Sequence, residues 1–92
     1  MNGNLYTLSE FFKVFGDVTR LKIISTLLNG EMSVNELSAN LHMEQSAISH
    51  QLRILRQQNL VQLKKEGKQT FYAIKDQHVA QIFKIGMDHI SE

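Results

Sequence analysis

The sequence predicts a mainly α-helical domain that carries one small β-hairpin. Apolar residues recur at helical spacing along most of the first 55 positions, whereas the stretch from residue 60 to 74 alternates apolar and polar residues around a glycine. With 92 residues and no proline, repeat or low-complexity tract, the chain is expected to form a single domain over 1–92. A domain this small has a thin core and gains apolar burial by self-association.

The composition excludes several classes of protein and site. Cysteine is absent, which rules out disulfides, thiolate metal sites and cysteine redox switches, so nitrogen and oxygen must hold any metal. There is no apolar run of 18 residues and the first ten residues lack a signal-peptide pattern. We therefore expect a cytoplasmic protein without a membrane contact.

Positive charge is concentrated in one segment. Residues 45–69 contain five basic residues and one acid, whereas the rest of the chain has five basic residues and eight acids. A basic segment on an otherwise slightly acidic domain is typical of a polyanion-binding surface. A solvated face of mixed charge remains the alternative.

Two amphipathic helices are predicted near the start of the chain. The first covers 8–15 and places four apolar residues on one side: Leu8, Phe11, Phe12 and Phe15. Gly16 ends it, and Asp17 can cap a second helix from Val18 to Leu28. The apolar face of this second helix is predicted to be Leu21, Ile24, Leu27 and Leu28.

The next two helices form a helix-turn-helix candidate. Ser33 and Glu36 have the spacing of a capping box, which opens a short helix burying Val34, Leu37 and Leu41. About four residues later another helix begins near Gln45, with Ile48, Leu52 and Leu55 on its apolar side. Its early exposed face has side chains that suit base edges and phosphates: Gln45, Ser46, Ser49 and His50.

A basic hairpin follows the second of these helices. Val61 and Leu63 pair naturally with Thr70, Tyr72 and Ile74 around a turn at Gly67. The tip carries Lys64, Lys65 and Lys68, which can bind phosphates as point charges. Helix-turn-helix and hairpin together predict a winged helix-turn-helix that binds double-stranded DNA, and Arg53 of the recognition helix joins the predicted DNA-binding residues.

Three stretches resemble the ArsR/SmtB family of metal-sensing repressors. They are "VFGDVTRLKIISTLLNGEMSVNELSANL", the recognition-helix stretch "QSAISHQLRILRQQNLV" and the wing "KKEGKQTFYAI". The likeness extends over almost the whole chain. It implies a homodimer that represses by occupying operator DNA and dissociates when its inducer binds.

The resemblance also implies where a metal would bind. Subgroups that sense with thiolates are excluded, but one subgroup uses Asp-x-His, ten further residues, and His-x-x-His or His-x-x-Glu in the last helix. Here Asp76 and His78 are followed after ten residues by His89 and Glu92, so every ligand position is filled. The implied regulatory metal is zinc, two ions per dimer.

Helical geometry supports a site shared between two chains. Eleven residues of helix return to within about 20° of the starting direction but advance about 16 Å, so His78 and His89 share a face without meeting. If two copies cross antiparallel on a two-fold axis, each end gathers Asp76 and His78 of one chain with His89 and Glu92 of the other. Asp76 can converge with His78 only as an N-cap residue. Two carboxylates and two imidazoles suit tetrahedral zinc.

The apolar pattern predicts the dimer interface, and the resemblance implies a relay. The interface residues come from the first and last helices: Leu8, Phe11, Phe12, Phe15, Ile82, Phe83 and Ile85. In the resembled family the metal-bound histidine donates its second ring N–H to a backbone carbonyl just past the recognition helix, which falls at Asn59 here, so His89 and Asn59 form the predicted relay.

Other interpretations remain at this point. The helix site could be vestigial with a non-metal signal, or the metal could be cobalt or nickel. A winged helix that binds only protein is disfavoured because the recognition helix is not acidic. An enzyme is disfavoured because there is no nucleophile motif, glycine-rich phosphate loop or open metal position. We assign His42 to a surface turn and His50 to DNA contact or packing.

Overall fold

The predicted helices and hairpin are all present in the structure, a computed structural model that describes residues 3–92. Five helices and a two-stranded antiparallel sheet follow one another in this order: α1 Leu5–Phe15, α2 Val18–Leu27, α3 Val34–Leu41, α4 Gln45–Gln57, β1 Val61–Glu66, β2 Gln69–Ile74 and α5 Gln77–Ile90. A helix-turn-helix formed by α3 and α4 is thus followed directly by the hairpin wing, which confirms the winged helix-turn-helix fold.

Capping explains where the first two helices begin. The predicted start of α1 at residue 8 was wrong by one turn, because Asn4 accepts a hydrogen bond of 2.8 Å from the Thr7 amide and starts the helix at Leu5. Asp17 caps α2 as predicted, since its carboxylate accepts the Arg20 amide proton at 3.0 Å. At the end of α1, the Gly16 amide donates to the carbonyl of Lys13 at 3.1 Å.

The buried face of α2 differs from the prediction. Ile23, Ile24 and Leu27 are buried, whereas Leu28 lies at the C-cap and is 39% exposed. The prediction of one narrow apolar face was wrong because α2 packs against four other elements: α1, α3, α4 and β2. A broader arc of the helix therefore faces the core. Leu21 is only partly buried.

The helix-turn-helix is held by local hydrogen bonds and a shared core. Both halves of the capping box form: the Glu36 amide donates to the Ser33 hydroxyl at 3.1 Å, and the Ser33 amide donates to the Glu36 carboxylate at 2.9 Å. His42 ends α3 in the left-handed region with φ 55°, as an exposed turn residue. The predicted apolar side of α4 is confirmed, since its three members are fully buried: Ile48, Leu52 and Leu55.

The wing has the predicted register. Val61 pairs with Ile74 and Leu63 with Tyr72, and Gly67 makes the turn with φ 63°. A bridge to the segment before α3 anchors β2, because the backbones of Met32 and Tyr72 exchange hydrogen bonds of 2.8 and 3.0 Å. Within residues 3–92 no helix is both long and apolar enough to cross a membrane.

Candidate nucleic-acid interface and metal site

The outer face of α4 carries the side chains predicted to contact DNA. They are exposed on the side opposite the buried apolar row, and no hydrogen bond or ion pair within residues 3–92 engages any of them: Gln45, Ser46, Ser49, His50 and Arg53. Polar side chains near the start of a recognition helix are placed to reach base edges, and their donors and acceptors are available for a ligand.

A crevice between α4 and the wing adds residues that the sequence analysis missed. Arg56 and Gln57 line it together with Ser49, Arg53 and Tyr72. Arg56 could have been found, because Ser49, Arg53 and Arg56 follow the spacing i, i+4, i+7 of one helical face. Tyr72 could not, because the hairpin brings it to α4 from a distant part of the sequence. Two arginines beside hydroxyl and amide groups form a surface suited to a phosphate.

The lysines of the wing are exposed to solvent, but the carboxylate of Glu31, from the segment before α3, partly neutralises one of them. Lys64 lies 3.9 Å from the carboxylate of Glu31, a loose and largely exposed ion pair. Lys65 and Lys68 are exposed and form no ion pair with any residue in the described part of the chain. The contribution of Glu31 was not anticipated from the sequence, because Glu31 and Lys64 are far apart along the chain and only the fold brings them near each other.

Glu66 is the acid within the wing itself. A hydrogen bond with Glu31, together with the repulsion between the two carboxylates, raises the pKa of Glu66 above its ordinary value, and Lys64 offsets this only in part. Two carboxyl groups therefore lie close together beside Lys64.

At the start of α5, Asp76 adopts the conformation that the metal hypothesis required. It is the N-cap residue, with extended backbone at φ −163°, and its carboxylate accepts the amide protons of His78 at 3.0 Å and Val79 at 3.3 Å. The same carboxylate oxygen lies 3.4 Å from Nδ1 of His78. Two ligands of a tetrahedral zinc ion with bonds of about 2.0 Å are roughly 3.3 Å apart, so the separation of this pair is compatible with one shared ion.

At the other end of α5, His89 and Glu92 keep the i, i+3 relation although the helix ends at Ile90. The Glu92 amide donates to the His89 carbonyl at 3.4 Å, which continues the last turn beyond the C-cap Ser91. Both side chains are exposed. The carboxylate of Asp88 is paired with the ammonium group of Lys84 at 2.6 Å.

One chain does not bring the four candidate ligands together. Within residues 3–92 no group of three or more metal-ligating side chains converges, because the two pairs lie at opposite ends of α5. Each pair supplies one carboxylate and one imidazole, so a four-ligand site needs a second copy of the chain. The metal ligands therefore remain a prediction.

The sequence profile of arsR-family bacterial regulatory proteins matches residues 17–62, which span α2, the helix-turn-helix and the start of the wing. A curated relative, the transcriptional repressor SmtB homologue of Synechocystis, is 39% identical over 85 residues, covering 92% of this chain and 64% of its own length. The HTH-type regulator MJ1325 of Methanocaldococcus jannaschii is 44% identical over 78 residues, covering 84% of this chain and 88% of that protein. The chain belongs to the arsR family.

Further relatives agree with this assignment. The cadmium resistance regulator CadC homologue of Staphylococcus aureus is 32% identical over 90 residues, or 97% of this chain and 74% of that protein. Among solved structures, the homodimeric winged helix-turn-helix DNA-binding domain of Mb0332 from Mycobacterium bovis has a TM-score of 0.90 at 25% identity, covering 100% and 92% of the two chains. HlyU from Vibrio cholerae has a TM-score of 0.85 at 32% identity and covers both chains completely.

As an arsR-family member, this protein is a winged helix-turn-helix transcriptional regulator and not an enzyme. The expectation from the resemblance is confirmed at the level of the family. No relative reported above identifies zinc as the signal.

The arsR-family chain exposes an apolar surface on α1 and α5. Phe12 is 51% exposed and Ile85 67%, and Leu8 is also largely exposed. The other predicted interface residues are partly buried: Phe11, Phe15 and Phe83, which pack against the core, and Ile82. Residues not named from the sequence enlarge this surface: Leu5, Tyr6, Met87 and Ile90. Leu5 and Tyr6 were not named because α1 begins one turn earlier than predicted, whereas Met87 and Ile90 are further residues of α5.

Asn59 lies directly after α4 in the left-handed conformation, with φ 60°. Its amide donates to the carbonyl of Arg56 at 3.1 Å. No donor from residues 3–92 is bonded to its own carbonyl oxygen, so that oxygen is available for an imidazole N–H. The relay role itself is not tested by a single chain.

Proposed function

We propose that the protein is a zinc-responsive transcriptional repressor that binds operator DNA as a homodimer and dissociates when zinc binds at the ends of α5. The observation that carries this proposal is the geometry of Asp76, whose N-cap carboxylate faces Nδ1 of His78 at 3.4 Å. An N-cap role alone would not require a histidine two residues later that faces the same oxygen.

DNA binding is proposed for α4 and the wing. Ser46, Ser49 and His50 would contact base edges and neighbouring phosphates, while Arg53, Arg56 and the wing lysines would neutralise backbone phosphates. The unengaged polar face of α4 and the crevice beside Tyr72 support this division of roles.

The homodimer is proposed to form through the apolar surface of α1 and α5. A two-fold axis across this surface would bring the Asp76–His78 pair of one protomer to the His89–Glu92 pair of the other, twice per dimer. The homodimeric Mb0332 domain supports this assembly. Similarity to a transcriptional repressor, the SmtB homologue, supports repression, and similarity to a cadmium resistance regulator, the CadC homologue, supports a metal signal.

The four side chains would convert metal binding into release. Asp76, His78 and Glu92 hold the ion, which when bound supplies a divalent charge that crosslinks the two last helices. His89 would bind with one ring nitrogen and donate the N–H of the other to the Asn59 carbonyl, at the end of α4. Zinc releases DNA only if it binds the crosslinked arrangement of the dimer more tightly than the DNA-bound arrangement. Equal affinity for the two arrangements would leave their populations unchanged.

The proposal is tested by titrating zinc into purified protein on its promoter DNA at fixed salt. Zinc should weaken DNA binding, and by reciprocity DNA should weaken zinc binding by the same factor. Binding should saturate at two ions per dimer, and cobalt substitution should give a tetrahedral spectrum. The variant His89→Gln should lose the effect on DNA. Equal DNA affinity of metal-free and zinc-loaded wild type would refute zinc sensing but not DNA binding.

A further inference from the structure

A polar junction links three helices at the side chain of Arg20. From α2, its Nε donates to the carbonyl of Val14 at 2.8 Å and one terminal nitrogen donates to the carbonyl of Lys13 at 3.3 Å. The other terminal nitrogen donates to Oε1 of Gln51 on α4 at 3.3 Å. One guanidinium thus bonds the end of α1 and the inner side of the recognition helix at the same time.

Both the guanidinium and the backbone of Arg20 are held by hydrogen bonds. The last carbonyls of a helix lack partners within the helix, and the planar guanidinium offers several donors in fixed directions. The backbone of Arg20 is itself held, because its amide donates to the Asp17 carboxylate at 3.0 Å. The guanidinium therefore has little freedom to follow α4 if that helix moves.

This junction connects the surface for self-association with the surface for DNA. The apolar residues of α1 lie on one side of it and the exposed polar face of α4 on the other. Helix α1 packs mainly on α2, without comparable packing against α4. Of the side-chain hydrogen bonds within residues 3–92, the one from Arg20 to Gln51 alone joins α4 to the α1–α2 pair.

We propose that Arg20 and Gln51 are a positioning pair that sets the angle between α1 and α4, and through it the spacing of the two recognition helices in the dimer. Gln51 is then not a base-reading residue, although it lies among the polar residues of α4. Its amide faces α2 and is partly buried, whereas Ser49 and His50 beside it are exposed. The consequence for DNA rests on the proposed function, whereas the consequence for the α1–α4 angle does not.

The main variant is Gln51→Leu, which keeps the size of the side chain and removes the acceptor. Gln51→Glu keeps an acceptor for the guanidinium, and Gln58→Leu is a matched control at an exposed position with no side-chain hydrogen bond in the described chain. We expect Gln51→Leu to lower the ratio of operator to random-duplex affinity roughly 3- to 10-fold, the loss of one partly exposed hydrogen bond. Gln51→Glu should restore the ratio and Gln58→Leu should leave it unchanged.

A merely structural role for Arg20 as a cap on α1 predicts a different result. If Arg20 only capped α1, Arg20→Lys would lower the thermal stability. Gln51→Leu would then leave the ratio of operator to random-duplex affinity unchanged. For a positioning pair, the effects of Arg20→Lys and Gln51→Leu on the ratio should not add, so the double variant should be no worse than the more affected single one. Additive effects of the two substitutions on the affinity ratio would overturn the proposal. So would a loss of affinity in Gln51→Leu alone that depended on the identity of a single base pair, because Gln51 would then read a base.

A measurement without DNA separates this inference from the proposed function. Residual dipolar couplings of backbone amides in the metal-free protein report the angle between α1 and α4. That angle should change in Gln51→Leu, return towards wild type in Gln51→Glu and stay constant in Gln58→Leu. An unchanged angle in Gln51→Leu refutes the positioning pair. Failure of the wild type to prefer a duplex selected from a random pool would instead refute the proposed function.

Discussion

At the scale of single residues, Asp76 shows how one carboxylate can serve two purposes. Its extended backbone releases the side chain from helical geometry, so the carboxylate turns towards the first amides of α5 and towards His78 together. In a regular helix a residue two positions away would point roughly 160° from its neighbour. The capping role is thus what makes the Asp-x-His spacing usable for a shared ligand.

The two roles of Asp76 can be separated by substitution. Asparagine caps a helix about as well as aspartate, so Asp76→Asn should leave the thermal midpoint of metal-free protein almost unchanged. It removes the charge, so zinc affinity should fall at least about tenfold. Isothermal titration with zinc measures the affinity, and His78→Ala should lose comparable affinity. Zinc affinity equal to wild type in Asp76→Asn would contradict its role as a ligand.

At the scale of elements, the wing and α4 differ in how they would bind DNA. Lys68 is exposed and has no ion pair among the described residues, whereas Lys64 shares its charge with Glu31 at 3.9 Å. A lysine whose charge is already partly neutralised by a carboxylate gains less free energy from contact with a phosphate, because it must give up that ion pair. The two positions should therefore differ in their contribution to binding, although both belong to one basic hairpin.

We predict that Lys68→Ala weakens binding to all DNA sequences alike and flattens the dependence of log affinity on log salt by about 2 per dimer, one phosphate per subunit. Lys64→Ala should flatten it less. Lys22→Ala, an exposed lysine on α2, is the control. Ser49→Ala should instead lose operator preference with little change in the salt dependence. Altered specificity in Lys68→Ala with unaltered specificity in Ser49→Ala would reverse the assignment of wing and helix.

Glu66 predicts a pH dependence of stability. Because Glu31 raises its pKa in the folded protein, ionisation of Glu66 disfavours the folded state as pH rises through that raised value. Below the ordinary glutamate pKa both states are protonated and the penalty is absent. Glu66→Gln should therefore raise the thermal midpoint at pH 7 but not at pH 4. Glu44→Gln, at the exposed N-cap of α4, is a matched control. An equal shift at both pH values would contradict the carboxylate pair as the cause.

Elements could be predicted from the sequence where local signals determine them. The capping box at Ser33, the cap at Asp17 and the turn at Gly67 all appear where the pattern placed them. Contacts between distant segments could not be predicted in this way. Glu31 near the wing, Tyr72 beside α4 and the bond from Arg20 to Gln51 depend on how elements pack, which no local spacing records.

At the scale of the whole molecule, the candidate site depends on assembly. The candidate metal ligands lie at both ends of α5 and the exposed apolar side chains lie along α1 and α5, so one surface would build both the dimer and the site. The sequence predicted the apolar side chains from helical periodicity, and the family resemblance implied the four candidate ligands. Their meeting across a two-fold axis is a relation between chains, and it remains a prediction of the geometry.

The dimer should form without metal, because none of the candidate metal ligands belongs to the apolar surface on α1 and α5. Phe12 is 51% exposed on that surface, and moving such a side chain from full exposure to full burial is worth about 1.5–3 kcal/mol. Sedimentation of metal-free protein at micromolar concentration should therefore show a dimer. Phe12→Glu should give a folded monomer with unchanged helical circular dichroism, weak DNA binding and no four-ligand zinc site. Ala39→Glu, which adds the same charge at an exposed position on α3, should remain dimeric. A metal-free wild type that sediments as a monomer would show that the exposed surface of α1 and α5 does not suffice for association.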